Sequence, residues 1–133
     1  IFEAGRNNKR ELEFEHFKTT AGPDLDSFAT WCLCFEVWGA PWGENRWFFE
    51  KTIDDPAVRQ LVEEHHDLFE FNRWLQWIAA EQVNAAHAAG AAAGGVMCED
   101  PPGWRESPGG KLYLAYLRDP DGNKLCALHR PAA

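Results

Sequence analysis

Residues 55–95 read DPAVRQLVEEHHDLFEFNRWLQWIAAEQVNAAHAAGAAAGG, a stretch that predicts helix from end to end. Asp55 is a good N-cap, Pro56 suits the first helical position, and no further proline comes until Pro101. Gly94 and Gly95 supply the positive-φ residues that end a helix. Apolar residues at Val58, Leu61, Val62, Leu68, Phe69, Phe71, Leu75, Ile78 and Val83 fall mostly at three- and four-residue steps, with Trp74 and Trp77 adding bulk. Past Val83 the stripe thins to alanines, which suits close packing against a sheet or another helix. Unbroken, the helix would span roughly 55–60 Å at 1.5 Å per residue, more than the width of a domain this small. A kink or a protruding end is therefore expected. The apolar phase shifts at His65-His66-Asp67, which makes it the expected break. Gly90 is a second soft point, costing about 1 kcal/mol against alanine.

Upstream, Leu12, Phe14 and Phe17 predict a short amphipathic helix over about 9–20, stopped by Gly22-Pro23. Residues 1–8 read as frayed, with a short strand at Ile1-Phe2 as an alternative. Asp24 or Asp26 then caps a second helix reaching about Trp38, with Leu25, Phe28, Ala29, Cys32, Phe35 and Glu36 at helical steps. Residues 40–54 form an aromatic loop whose Trp42, Trp47, Phe48 and Phe49 are expected to fold back on the helices. Downstream, Val96-Met97-Cys98 predicts a short strand and 99–110 a loop. Residues 111–117 and 123–129 then predict an antiparallel pair around the Asp119-Pro120-Asp121-Gly122-Asn123 turn. Helices first and a sheet of about three strands last give an α+β fold, expected as one domain over 1–133.

The formal net charge of −8 argues against nucleic acid and anionic membrane surfaces as partners. No apolar run reaches membrane-spanning length, and no secretory h-region is read at the start, so no membrane span or secretory signal is expected. Cys32 and Cys34, two apart on a helix, cannot face one another. With Cys98 and Cys126 they fit buried thiols in a reducing, cytoplasmic setting. Seven tryptophans, six of them between Trp31 and Trp77, are a large aromatic surface needing burial or a partner.

Two resemblances divide the chain. FATWCLCFEVWG at 28–39, DPAVRQLVEEHHD at 55–67 and FNRWLQWIAAEQ at 71–82 resemble the 4-α-glucanotransferase (amylomaltase) family over about 11–82. That resemblance implies helices that decorate a much larger barrel; the family's catalytic carboxylates lie further downstream, and it carries over no catalytic residue. VNAAHAAGAAAGG at 83–95, PPGWRES at 101–107 and YLAYLRDPDGNKLCALHR at 113–130 resemble the vicinal oxygen chelate superfamily of glyoxalases, dioxygenases and bleomycin-resistance proteins. That resemblance implies one βαβββ module lacking its first strand, with Cys126 where metal-dependent members carry a glutamate. The switch falls near 82–84, where one helix can continue into another. The expected reading is a chimaera of recombined gene segments, against a natural single-module protein with a helical replacement.

Among chemical constellations, Glu13-x-x-His16 and Glu63-x-x-His66 each place a carboxylate and an imidazole on one helical face. A di-iron bundle needs glutamates from two further helices, and only Glu36 offers one. The four cysteines fit no usual zinc spacing. Solvated acidic faces and buried thiols are the blander readings. No catalytic residue, cofactor or metal is therefore expected, Cys126 being the sole candidate ligand. The candidate ligand-binding residues are Trp104, Arg105, Tyr113 and Tyr116. The expected function is a folded chain without evolved activity, against a glyoxalase-like small-molecule binder acting as a dimer or a glucan-binding helical module in which loop tryptophans stack a sugar. Self-association as a homodimer is expected, because the missing strand leaves a sheet edge unpaired.

Overall fold

The computed structural model describes residues 7–40, 46–106 and 112–129. The readings placed on Ile1-Phe2, Trp42 and Lys111 lie outside them. Five helices precede a small antiparallel sheet, the expected α+β order. The helices are α1 (Asn8–Ala21), α2 (Pro23–Trp38), α3 (Trp47–Glu50), α4 (Pro56–Glu64) and α5 (His66–Ala92). The strands are β1 (Val96–Met97), β2 (Gly103–Arg105), β3 (Leu112–Arg118) and β4 (Lys124–His129). The chain forms two compact units, residues 1–76 and 77–133, the division falling within α5.

In the first unit, Asn7 caps α1 by accepting from the Arg10 N–H at 3.0 Å. Asp24 and Asp26 do not cap α2: that place belongs to Gly22 (φ +65°), with Pro23 opening the helix and both aspartates in its first turn. Pro23 fixes its own φ and brings no N–H, so the cap shifts one residue before it. The buried positions of α2 are Leu25, Ala29, Thr30, Leu33 and Cys34, so Phe35 and Glu36 are not on its interior face. The helix is apolar almost all round, and periodicity then gives no phase.

The long stretch does break at His65, which leaves the helical region (φ −120°, ψ +38°) between α4 and α5. Asp55 caps α4 as expected, its carboxylate accepting from Ala57 N–H at 2.8 Å. Val58 and Leu61 of α4 join Phe69 of α5, Ala29, Leu33 and Cys34 of α2, and Trp47 in one buried cluster. Leu75, expected in the apolar stripe, is 40% exposed.

Burial also sets the thiols. Cys32 is pushed up to about 11, first by burial and then by the neighbouring Glu36 carboxylate, and burial alone raises Cys34 to about 11. A thiol held protonated in the fold stabilises it fully below its ordinary value of 9.0, and that stabilisation is lost as pH climbs through about 11. Urea midpoints are therefore expected to fall between pH 9 and 11 more steeply for the native chain than for a Cys32→Ser/Cys34→Ala variant. Parallel pH profiles for the two would contradict this.

In the second unit, β4 lies along one edge of β3, from Tyr113↔His129 to Arg118↔Lys124. The other edge carries β1 at one end (Met97↔Leu117) and β2 at the other (Trp104↔Tyr113). β2 corrects the reading of 99–110 as loop throughout; three residues are too few to show alternation. The turn between β3 and β4 rests on Asp119, whose carboxylate accepts from the Asn123 N–H and side-chain amide, both at 2.8 Å. Those bonds hold the Asp119 carboxyl below its ordinary range, while Gly122 (φ +89°) supplies the left-handed residue.

Gly90 does not soften α5, which runs through it to Ala92. It is a contact point: a Cβ there would overlap Leu117 Cδ1, so glycine lets β3 sit against the helix. Gly95 is confined by backbone instead, its missing Cβ falling 2.8 Å from Gly90 O and 3.0 Å from Arg118 O. The alanines between Val83 and Gly94, by contrast, are mostly exposed, against the expectation of close packing along their whole run.

Candidate functional site

The first unit carries an open groove of about 260 Å³ between α2 and the segment from α3 to the start of α4. One wall is α2, with Ser27, Thr30, Trp31 and Cys34; the other is Trp47, Phe48, Lys51, Thr52 and Ile53, with Val58 closing the set. Trp47 builds it. Its ring is 8% exposed, and its indole N–H donates to Gly39 O at 2.9 Å, tying α3 to the end of α2. Its centroid lies 6.3 Å from Trp31, 6.1 Å from Trp38 and 6.0 Å from Phe48, at tilted to edge-on angles favoured by aromatic quadrupoles. Trp47 thus folds back as the sequence suggested, but Phe48 and Phe49 do not: they are 53% and 69% exposed. A four-residue helix has no second apolar face, so once Trp47 turns inward its neighbours turn out.

The lining is mainly apolar with hydroxyls at intervals. Ser27 donates to Pro23 O at 2.9 Å and keeps acceptor capacity on its oxygen. Lys51 is paired with Asp55 at 3.6 Å, so its charge is already answered within the protein. Cys34, at the floor, is a protonated thiol at neutral pH. Among the described residues, no carboxylate lines the groove. Such a surface can stack and hydrogen-bond a neutral polyol.

Elsewhere in the first unit, charged side chains tie α1, α2 and α5 together. Lys18 pairs with Glu70 at 3.3 Å and with Glu15 at 2.6 Å; Arg73 pairs with Glu70 at 2.5 Å and with Asp26 at 3.2 Å. Lys18, Glu70 and Arg73 keep only 14–16% of their side-chain surface. Both cations also lie over rings, Lys18 over Phe14 at 4.8 Å and Arg73 over Phe69 at 5.2 Å.

The other sequence candidates separate. Trp104 and Tyr113 are brought together as a cross-strand pair, centroids 5.3 Å apart and edge-on. Tyr113 also donates to Asn84 Oδ1 of α5 at 3.3 Å. Arg105 turns to its own loop, donating to Pro101 O at 2.7 Å and Trp104 O at 3.0 Å. Tyr116, three residues beyond Tyr113, faces the opposite side of the sheet under the Lys124 ammonium at 4.0 Å, and Lys124 pairs with Glu99. Desolvation first, and Cys126 next, raise the Tyr116 hydroxyl above its ordinary range. The four residues therefore do not share one site. Cys126 is exposed on β4 opposite Tyr116.

Among the described residues, no three His, Cys, Asp or Glu side chains are grouped to hold a metal. Glu63 and His66, read as sharing a helical face, fall on different helices because the break intervenes. No described helix is long and apolar enough to cross a membrane. The groove itself was not legible as a site, although its rings were: the sequence suggested a tryptophan platform, but not that Trp47 would be its support and Phe48 its face.

Known proteins meet both resemblances. The family described as 4-alpha-glucanotransferase matches residues 1–103, further than the 11–82 read from the residues. 4-alpha-Glucanotransferases of Mycobacterium bovis and Mycobacterium tuberculosis are 38% identical over 100 residues, which is 71% of this chain. The chain spans 13% of the length of these relatives. The crystal structure of a glyoxalase/bleomycin resistance protein from Albidiferax ferrireducens is 70% identical where it aligns, covering 38% of this chain and 41% of that one at a TM-score of 0.37. The first match corrects the expectation of a chain without evolved activity. Most of the sequence is that of the family described as 4-alpha-glucanotransferase.

Proposed function

Because the chain belongs to the 4-alpha-glucanotransferase family, we propose that its first unit binds a 4-α-linked glucan in the groove between α2 and α3. The observation that carries this reading is the groove's chemistry. Trp31 and Phe48 present rings to which the apolar face of a pyranose can stack. Ser27, Thr30, Thr52 and Lys51 stand at the same surface to meet hydroxyl groups. Few polar groups on an apolar lining is the pattern of a small-molecule site.

Titration of the chain with maltose and maltotriose, followed by tryptophan fluorescence, is expected to show saturable binding. Phe48→Ala is expected to weaken it about fivefold to tenfold, equivalent to about 1–1.4 kcal/mol. Because Phe48 is half exposed, the unfolding free energy of the variant is expected to stay within about 0.5 kcal/mol of the native one. Absence of saturable binding, or affinity indifferent to both Phe48→Ala and Trp31→Ala, would overturn the reading.

A further inference from the structure

We propose that the groove is the centre of a longer track, so that a glucan of several sugar units binds across two pairs of aromatic rings. The proposal rests on the groove being a glucan site. On α2, Phe35 follows Trp31 by one turn and stacks on it, centroids 5.4 Å apart and planes 25° from parallel, which extends the Trp31 surface along the helix. On the other wall, Phe49 follows Phe48 at 5.5 Å, nearly perpendicular. Neither Phe35 nor Phe49 lines the groove, yet they are 36% and 69% exposed. Arg46 lies over one face of the Phe49 ring, 5.7 Å from its centroid, and the residue stays largely exposed. Trp47 touches both inner rings, so the two walls are held at a fixed spacing.

Charge narrows the occupant. The net charge of −8 disfavours a phosphorylated or acidic polymer, the groove's Lys51 being paired with Asp55 and Arg46 lying over the Phe49 ring. A neutral, polyhydroxylated chain with repeating apolar ring faces fits stepped aromatic rings separated by hydroxyl-bearing side chains. A second protein docking on the rings would instead leave glucan binding independent of Phe35 and Phe49.

The test is calorimetric titration of the 133-residue chain with maltose, maltotriose and maltohexaose. Affinity is expected to rise at least tenfold from maltose to maltohexaose. In Phe35→Ala and Phe49→Ala variants, that gain is expected to shrink severalfold while maltose affinity stays as in the native chain. The variants also control for the larger number of registers a longer chain offers, which they leave unchanged. A length-independent affinity with maltose still bound would overturn the track and spare the groove. Equal losses for maltose and maltohexaose would do the same. No binding of any of the three would overturn both. The urea midpoint of Phe49→Ala is expected to match the native one and that of Phe35→Ala to fall, since its ring is mostly covered and stacks on Trp31; a cooperative transition in both confirms that the rings are removed from a folded unit.

Discussion

Trp47→Ala is expected to cost the first unit about 3–5 kcal/mol, the range for truncating a large buried aromatic. Net stabilities are about 5–15 kcal/mol, so this loss removes a large part of the total. Three effects combine at one residue. The ring is 8% exposed within the core cluster, it contacts Trp31, Trp38 and Phe48, and its N–H satisfies Gly39 O at the end of α2. Trp47→Phe separates them: a ring remains, the hydrogen bond is lost, and about 1 kcal/mol is expected to go with it. Urea unfolding followed by far-ultraviolet circular dichroism measures both variants. A Trp47→Ala loss under about 1 kcal/mol would mean that α3 is not held by this residue.

Glu70→Leu is expected to cost about 2–3 kcal/mol, because it leaves the Lys18 and Arg73 cations largely shielded from water with weaker partners. Glu15 and Asp26 answer part of that charge, which keeps the loss below that of a fully orphaned ion. Lys18→Met combined with Glu70→Leu is expected to recover about half of it, since replacing a pair by apolar groups is gentler than removing one member. A double variant no better than the single would show that the network does not act as a unit.

What the sequence made legible was local. Asp55-Pro56, the phase shift at His65-His66 and the Asp119–Asn123 turn each carry their own stereochemistry, and the structure places a cap, a break and a turn there. What it concealed was set by packing. α2 is apolar on nearly every face, so only the tertiary fold selects Leu25, Ala29 and Leu33 as interior and leaves Phe35 partly outside. β2 has three residues and no period to read. Gly90, weak by helix propensity, stands where Leu117 needs room. The groove depends on which of three consecutive aromatic residues turns inward, and a run of Trp47, Phe48 and Phe49 does not decide that.

The reading of the groove as a glucan site is tested most directly by nuclear magnetic resonance of the chain titrated with maltotriose. The Trp31 indole and the Phe48 ring signals are predicted to move together along one saturable curve, while Trp104 and Tyr113 of the second unit stay where they are. Stationary Trp31 and Phe48 signals at saturating maltotriose, or shifts confined to Trp104 and Tyr113, would contradict it.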